Sequence, residues 1–506
     1  MATEPPISRL PEELLLLIAV HLPDSGTPQH LKNLSLVSRK FRPAAQEALH
    51  AIAKLSLSCG CHPKVNAAVK LLRTLLDRPD LASKVRVLRF RTVRKNIAKF
   101  YESQGFDLSS LRDCSLSRLQ ELDYGKSHPW WRSIENAIES AFAGLLLVQL
   151  PNLVHLDFWV KDHHRGPPSS ECITGLFGSS CPPATLAHVW KGIKHLTLGD
   201  THMLKCGLEF PSLTSLDLKT ISIGTVLRLN GPGCLQGTDQ LRKLALTCSI
   251  QFADRPLVEK ADVQLSDVFD ALGCRQLCDL KILLINDGYH IGDDLLTQLD
   301  AGYFMDQLCK VQDTLESLAI TFEPADDETE LEWLLDMCTH PKESLRHFAA
   351  LKRLIIPQVF VFAVTSVTFA HPGITCQPKD LPEKLESLEM LYPHEDIEKW
   401  VAGFLNFQKG DDRELPNLKE IVLTCRDEVG IPSAYFTKEV DRIWWKLSID
   451  YGIESFVVCQ VEGTRVELVE LYHDYGSETD GEDGDDWADE GSDDDDDMPD
   501  LIDPMD

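Results

Sequence analysis

The sequence predicts an α/β solenoid, a curved parallel β-sheet with helices on its convex side, preceded by a short helical domain and followed by an acidic tail. Two observations carry this prediction. One apolar hexapeptide pattern recurs eleven times, at intervals that leave room for a helix between most recurrences. The final 30 residues contain 16 Asp or Glu and no Lys or Arg. The predicted divisions are a helical domain at residues 1–50, a helical linker at 51–84, the solenoid at 85–436, a C-terminal cap at 437–476 and a disordered tail at 477–506.

Two amphipathic helices are predicted between Leu10 and Phe41. Pro11 occupies the first turn of the first helix, where proline is tolerated, and acidic residues follow it where they complement the helix dipole. Leu10, Leu14 and Ile18 then recur every fourth residue, and the second helix carries a similar stripe. A unit of about 40 residues rarely sustains its own core. These helices are therefore expected to bury apolar surface against a partner or against the following domain.

The helical segment also carries an ordered set of residues, namely Leu10, Pro11, Glu13, Leu14, Ile18, Leu34, Leu36, Val37, Ser38, Arg39 and Phe41. This set resembles an F-box, the helical motif that docks a substrate receptor onto the Skp adaptor of a cullin-based ubiquitin ligase, although loop 23–30 is longer than usual. Residues 71–90 are similar to a stretch that introduces the first repeat in fungal F-box proteins. The resemblance implies that the adaptor contacts Leu10, Pro11, Glu13, Leu14, Ile18, Leu34, Val37, Ser38 and Phe41. The alternative is an ordinary helical hairpin packed on its own domain.

The repeated hexapeptide has apolar residues at its first, fourth and sixth positions. Because side chains alternate across a strand, the fourth and sixth residues are expected to face the interior and the residues between them the other face. A doubly wound α/β domain would also alternate strands and helices, but such domains seldom need so many near-identical short strands. The eleven copies begin at Val85, Leu119, Leu153, Ile193, Leu213, Leu241, Leu277, Leu315, Leu351, Leu385 and Leu418.

The array from Val85 to Cys425 resembles a leucine-rich repeat domain. Its copies lie 20 to 40 residues apart, mostly farther than the roughly 20 to 29 residues of the standard repeat. None has the Asn or Cys that usually follows the strand, so long, irregular repeats without an asparagine ladder are expected. In a receptor, substrate would contact the concave face of the sheet. The candidate residues on that face are Arg86, Arg89, Asp123, His155, Asp157, His195, Arg242 and Arg353.

Three further segments are interpreted from their composition. Residues 437–476 contain a predicted helix around Trp444 and Trp445 and two strand-like runs, which are expected to cap the solenoid. Segments 161–183 and 360–382 interrupt the array. The tail cannot bury enough apolar surface to order itself. It is a solubilising extension, an electrostatic hook for basic partners such as histones, or an intramolecular cover over basic repeat residues.

No catalytic or metal-binding pattern is recognised in the sequence. It contains no phosphate-binding glycine loop, no GxSxG turn and no HExxH helix. Cys59, Cys61 and His62 lie close together but have no second pair at zinc-finger spacing. The fifteen cysteines show no disulfide framework and are interpreted as reduced thiols. The chain is therefore expected to act without catalysis, cofactor or metal.

Composition narrows the class of partner. The net charge is -29, and the residues before the tail still carry -13, so a basic stripe for nucleic acid is not expected. No run approaches the roughly 18 apolar residues of a membrane span, and the first residues lack a secretory pattern. We expect a soluble protein of the cytoplasm or nucleus, with neither nucleic acid nor membrane as a partner.

Together, the resemblances imply the substrate-recognition subunit of an SCF-type ubiquitin ligase. In that function the F-box binds the Skp adaptor and, through it, the cullin, while the repeats bind a protein substrate. Two other hypotheses stay open. The chain could be a scaffold whose helices dock only on its own repeats. It could also be a histone or basic-protein binder that acts through its tail and has no ligase role.

Overall fold

The computed structural model describes most of the chain between residues 10 and 467. The described residues are 10–21, 29–37, 40–55, 65–161, 176, 191–199, 210–221, 238–253, 264–286, 299–323, 335, 338–362, 376–393, 397, 400–401, 403–404, 415–425, 446–449, 451–459 and 465–467. The tail at 477–506 and most of the predicted interruption at 161–183 lie outside this description.

A three-helix unit opens the described chain, with α1 (Glu12–His21), α2 (Gln29–Val37) and α3 (Phe41–Ala51). The first two helices are the predicted pair, and α3 follows them almost directly. Because each helix is short, the three helices are stabilised mainly by packing apolar side chains against one another. The unit has two small apolar clusters, which consist of Leu15, Phe41 and Ala44 and of Ala19, Leu31 and Ala48.

The rest of the molecule is built on one sheet of thirteen strands, of which twelve are parallel and the last is antiparallel. The strands are β1 (Ile52–Lys54), β2 (Val87–Val93), β3 (His155–Lys161), β4 (His195–Leu198), β5 (Ser215–Ile221), β6 (Lys243–Ser249), β7 (Asp279–Ile285), β9 (Ser317–Phe322), β11 (Arg353–Pro357), β12 (Ser387–Leu391), β13 (Glu420–Cys425), β14 (Glu454–Cys459) and β15 (Arg465–Glu467). The two-residue strands β8 (Leu299–Asp300) and β10 (Cys338–Thr339) pair separately.

Strand order in the sheet follows chain order from β1 to β15, with no reversal. A doubly wound sheet has a point at which the strand order reverses, so that alternative is wrong for the described strands. Each repeat instead lies beside the next, which is the arrangement of an α/β solenoid. The predicted fold class is therefore confirmed at the level of a parallel sheet with helices in a solenoid-like array.

The apolar hexapeptide explains why the strands form where they do. In the hexapeptide that leads into β6, the first, fourth and sixth residues, Leu241, Leu244 and Leu246, are at most 2% exposed. The fourth residues of successive repeats lie in register, as Leu216 does with Leu244. Equivalent rows run through ten of the eleven predicted copies, and they form one continuous core with the helices.

The helices between strands are uneven in number and length. Asn66 begins α4 as its cap, because its side-chain oxygen accepts a hydrogen bond from the Ala68 N–H. Residues 129–148 form two helices separated by a break at Ala137, whose φ is 52°. The described helices of this part are α4 (Ala67–Asp77), α5 (Pro79–Ala82), α6 (Ala98–Ser103), α7 (Leu108–Glu121), α8 (Pro129–Glu135), α9 (Glu139–Val148), α10 (Leu265–Leu272) and α11 (Ala301–Asp306).

The hexapeptide beginning at Leu119 is not a strand, and its prediction was wrong. The residues end α7, and Asp123 follows with a left-handed φ of 66°. The N–H of Asp123 donates to the Gln120 carbonyl and the N–H of Tyr124 donates to the Leu119 carbonyl, which together make a Schellman C-cap. Leucines three residues apart fit one face of a helix as well as they fit this repeat, and here they form the end of a helix. Asp123 is therefore an exposed turn residue that does not lie on the sheet.

The sheet extends beyond the predicted solenoid at both ends. β1 lies in the segment predicted to be a helical linker, and it pairs in parallel with β2. At the other end, β14 continues the parallel sheet and β15 turns back against it. The strand-like runs predicted for the cap are strands where the structure describes them, and β15 covers the free edge of β14. Trp444 and Trp445, the centre of the predicted cap helix, lie outside the described residues. Within the described residues, no helix has the length and apolar character needed to cross a membrane.

Candidate functional site

A stripe of exposed apolar side chains runs along α1. Leu14, Leu17 and Ile18 are 45%, 53% and 38% exposed, although aliphatic side chains of this size are usually buried. Their spacing of three and four residues places them on one helix face. Leu15 and Ala19 face the other way and are fully buried. The helix therefore presents apolar surface both to its own unit and to solvent, and we call the exposed side the apolar stripe.

Other adaptor residues predicted from the sequence divide between surface and interior. Pro11 is exposed beside the apolar stripe, and Leu10 is half-buried. Leu34 and Phe41 belong to the interior of the three-helix unit, where they shape the stripe without being part of it. The side chains of Glu13 and Val37, and all of Ser38, lie outside the described part of the chain.

Leu17 and Leu36 are candidate contact residues that the sequence reasoning did not select. Leu36 on α2 is 77% exposed, the largest value among the exposed large apolar residues of the described chain. The exposure of Leu17 on the same helix face could have been predicted, because Leu17 follows Leu14 by three residues and precedes Ile18. Leu36 belongs to the set of residues that resembles an F-box, but only its neighbours Leu34 and Val37 were predicted to contact the adaptor.

Within the described residues, the three-helix unit meets the sheet around the end of α3. Helix α3 runs directly into β1, and the N–H of Arg86 donates to the Ala51 carbonyl. Near this junction the Lys84 Nζ lies 2.9 Å from a carboxylate oxygen of Glu47. The apolar clusters of the unit are separate from the core of the sheet. The unit is therefore attached through its last helix, and its first helix keeps an exposed face.

A second candidate surface lies on the sheet, on the side opposite the buried leucine rows; we call it the open face. Its residues are those at alternate strand positions, such as Arg89 between Leu88 and Phe90. Strand register brings Arg89 next to Asp157, then Thr197, then Asp217 on successive strands. Polar side chains thus form an ordered row across β2 to β5.

Arg89, Arg91, His155, Asp157, Trp159 and His195 form a polar and aromatic patch on β2, β3 and β4. The Arg89 Nε lies 2.8 Å from an Asp157 carboxylate oxygen. The Arg91 guanidinium carbon lies 4.2 Å from the centroid of the Trp159 ring, a cation–π contact. The rings of His155 and His195 are 5.6 Å apart. The patch combines side chains that are common at the centres of protein interfaces.

Gly199 allows the tryptophan of this patch to lie flat against the next strand. A Cβ placed on Gly199 would be 2.0 Å from the Trp159 ring, which is far inside van der Waals contact. Any other residue at position 199 would therefore displace the indole, and the Arg91 guanidinium that stacks on it would lose its aromatic support.

Asp157 is held in an unfavourable environment for its charge. Burial raises the pKa of the Asp157 carboxyl, while the Arg89 guanidinium opposes that shift. Its second carboxylate oxygen is buried and accepts no hydrogen bond from the described residues. A carboxylate kept at such a cost is a common property of functional sites.

The strand that carries Arg89 and Arg91 is fixed by a buried carboxylate, Glu139, at the start of α9. One Glu139 oxygen accepts hydrogen bonds from the Asn66 Nδ2 at 2.7 Å and the Val93 N–H at 3.1 Å. The other accepts one from the Tyr101 hydroxyl at 2.6 Å. Burial and the neighbouring carboxylate raise the pKa of Tyr101, so it stays a donor. Glu139 therefore joins α4, α6 and α9 to the end of β2.

The remaining predicted substrate residues lie elsewhere on the sheet. Arg86 and Arg242 are exposed and immediately precede β2 and β6. Arg353 lies on the open face of β11, where its guanidinium is 3.9 Å from the Glu389 carboxylate. Asp123, as described above, is not on the sheet. The structure thus places seven of the eight predicted residues on one side of the sheet or along its edge.

The described residues contain no metal cluster, and three of their cysteines are poor nucleophiles. No three His, Cys, Asp or Glu side chains among them converge as around a metal ion. Burial raises the pKa of the Cys274, Cys338 and Cys376 thiols to about 12, so these thiols are protonated at neutral pH and are poor nucleophiles. A cleft of about 380 Å³ beside α11 is lined in part by Tyr303 and His347.

No protein-family model matches this chain, and no curated protein matches it significantly.

Proposed function

We propose that this chain is the substrate-recognition subunit of an SCF-type cullin ubiquitin ligase. In this proposal the three-helix unit is an F-box that binds the Skp adaptor, the adaptor connects it to the cullin, and the repeats bind a protein substrate. The chain itself performs no catalysis. The observation that carries the proposal is the apolar stripe on α1, Leu14, Leu17 and Ile18, displayed by a helical unit whose own core is already closed.

The stripe supports adaptor binding because of its size and position. Fully burying one Leu or Ile side chain contributes about 1.5 to 3 kcal/mol. Three neighbouring side chains can therefore supply much of the free energy of a specific interface. A stripe on one helix face is also the pattern by which a helix binds in an apolar groove.

The exposure of the stripe favours a receptor over the scaffold hypothesis. A scaffold whose helices dock only on its own repeats would bury Leu14 and Ile18 against the sheet. Instead both are more than a third exposed, and the clusters of the helical unit do not merge with the core of the sheet.

The repeats suit substrate binding for a different reason. Their open face is presented by strands held in register by a continuous core, so its side chains are preorganised. Arg91 and Trp159 belong to the residue types that most often dominate binding energy in protein interfaces. Their contact supports a role in recognition.

The proposal is tested by a pull-down of the purified full chain with the Skp adaptor. Changing Leu14→Ala/Ile18→Ala is expected to weaken binding at least tenfold, which corresponds to about 1.4 kcal/mol. The matched control is Phe100→Ala/Ile449→Ala, which removes two comparably exposed apolar side chains from the repeats. The control should bind like the unchanged chain. Absence of binding by the unchanged chain would contradict the receptor function and favour the scaffold.

A further inference from the structure

The residues that immediately precede the strands form a single row along one edge of the sheet. Each of their N–H groups donates to the carbonyl of the residue before it in the row, from Val154 to Arg86 at 2.8 Å through to Lys419 to Glu386 at 2.9 Å. Neighbours in the row are therefore about one strand spacing apart, about 4.8 Å. The leading row, as we call it, is Arg86, Val154, Lys194, Thr214, Arg242, Cys278, Glu316, Lys352, Glu386 and Lys419.

The second half of the leading row neutralises its own charge. Lys352 lies 2.7 Å from Glu316, and Lys419 lies 2.6 Å from Glu386. The hydrogen bond from Lys419 lowers the pKa of Glu386, and the hydrogen bond to Glu316 raises the pKa of Lys352. Acid and base alternate from strand to strand, so each charge has a partner on the neighbouring repeat.

The first half has the same backbone geometry but a different charge pattern. Arg86, Lys194 and Arg242 occupy alternate strands and are all exposed. The residues between them, Val154 and Thr214, are uncharged, so no acid stands where the second half would place one. Within the described residues, Lys194 and Arg242 form no ion pair, and the side chain of Arg86 reaches only the Asn152 carbonyl, at 3.5 Å.

The acids nearby do not neutralise these cations. On the open face, Asp157 is paired with Arg89 at 2.8 Å and Asp217 with Lys219 at 3.0 Å. Among the described residues, these three cations in a row therefore have no acidic partner, in a chain whose net charge is -29. An anionic partner would be attracted to these exposed cations.

We propose that Arg86, Lys194 and Arg242 bind an extended acidic segment of a partner protein. Cations on alternate strands are about 10 Å apart, which matches carboxylates three residues apart in an extended chain at about 3.3 Å per residue. A nucleic-acid strand carries a charge at every phosphate, about every 3.4 Å of helix axis, so the phosphates between the cations would lie unpaired against an acidic chain, whereas a peptide can carry uncharged residues there. Naming this partner as the substrate rests on the proposed function.

The test uses the full chain and a fluorescein-labelled peptide of Glu-Gly-Ser repeated four times, measured by fluorescence anisotropy. Lys194→Gln/Arg242→Gln is expected to weaken binding at least about tenfold, because two direct charge contacts are lost. Lys352→Gln/Lys419→Gln is the matched control. It removes the same charge from the same row, and it should weaken binding less than about twofold, since only long-range attraction changes.

Four results would overturn the proposal. The first is that the unchanged chain does not bind the peptide, and the second is that both variants lose the same amount of peptide affinity. The third is that an oligothymidylate of the same charge binds as tightly as the peptide. The fourth is that the full chain binds the peptide more tightly after Asp493 to Asp497 are changed to Asn. The last result would assign the row to the chain's own tail. A parallel adaptor pull-down with the same variants keeps the two proposals separate, because neither double change touches the apolar stripe.

Discussion

The three-helix unit and the repeat sheet use apolar side chains in opposite ways. The helical unit has two small clusters and leaves Leu14, Leu17 and Ile18 exposed. The sheet buries leucine rows such as Leu216 and Leu244 in one continuous core and displays charged side chains. A partner of the helical unit would thus be bound mainly by burial of apolar surface, and a partner of the sheet mainly by charge and hydrogen bonds.

This difference suggests which part can be altered without unfolding the other. Small clusters open more easily than a continuous core, and local opening is measured by hydrogen exchange. Salt concentration should also distinguish the two kinds of binding, because apolar contacts respond little to salt while exposed charge contacts are screened.

The largest expected effect comes from the core of the sheet. Leu244→Ala should lower the free energy of unfolding by about 3 to 4 kcal/mol, because Leu244 is only 1% exposed and its loss leaves a cavity. Leu15→Ala, at a fully buried position of the helical unit, should accelerate amide exchange in α1 to α3 and leave exchange in β6 and β7 unchanged. Equal acceleration in both regions would mean that the two parts unfold together and that the contrast is incorrect.

The next effect concerns Glu139, which joins the helices to β2. Glu139→Leu should cost about 3 kcal/mol, because it leaves the Asn66, Thr92 and Tyr101 donors without their acceptor. Urea unfolding measures the loss. Glu135→Leu on the neighbouring helix is the control, since Glu135 is exposed, and it should change stability by less than about 0.5 kcal/mol. A similar loss in both variants would exclude the carboxylate network as the cause.

A smaller gain is expected at the turn after α7. Asp123→Gly should stabilise the chain by about 0.5 to 1 kcal/mol, because Asp123 has a left-handed φ of 66° that glycine adopts without a steric penalty. Thermal unfolding measures the gain, and Asp113→Gly inside α7 should instead destabilise. A loss of stability in Asp123→Gly would show that its side chain contributes more than its backbone strain costs.

The smallest effect is the pH-dependent one at Asp157. Because its folded pKa is raised, this carboxyl favours folding only below its unfolded pKa of about 3.9, and that contribution is lost as pH rises through the folded value. Asp157→Asn should therefore raise the free energy of unfolding at pH 7 by less than about 1 kcal/mol, and the gain should shrink towards pH 4. A gain that grows on acidification would contradict the assigned sign.

The sequence predicted those features that depend on neighbours in the chain. Ten strands followed from the local leucine pattern. The copy at Leu119 failed because its leucine spacing also fits a helix, and only the C-cap beyond it decided between them. Local spacing could have placed Leu17 on the apolar stripe.

The parts that could not be predicted join residues distant in the chain. The Glu139 carboxylate meets donors 38 to 73 residues away, from Tyr101 to Asn66. The Trp159 ring requires Gly199 on the next strand, which only strand register reveals. The row of Arg86, Lys194 and Arg242 likewise cannot be recognised until strand pairing aligns the successive repeats.

The most direct test of the account is calorimetric titration of the full chain with the purified Skp adaptor at about 50 and about 500 mM salt, a range over which exposed charge contacts are strongly screened. We predict binding with a negative heat-capacity change and little dependence on salt, lost in Leu14→Ala/Ile18→Ala and retained in Lys194→Gln/Arg242→Gln. No binding, or binding that follows the leading-row variant instead of the stripe variant, would contradict the assignment of the helical unit as the adaptor-binding part.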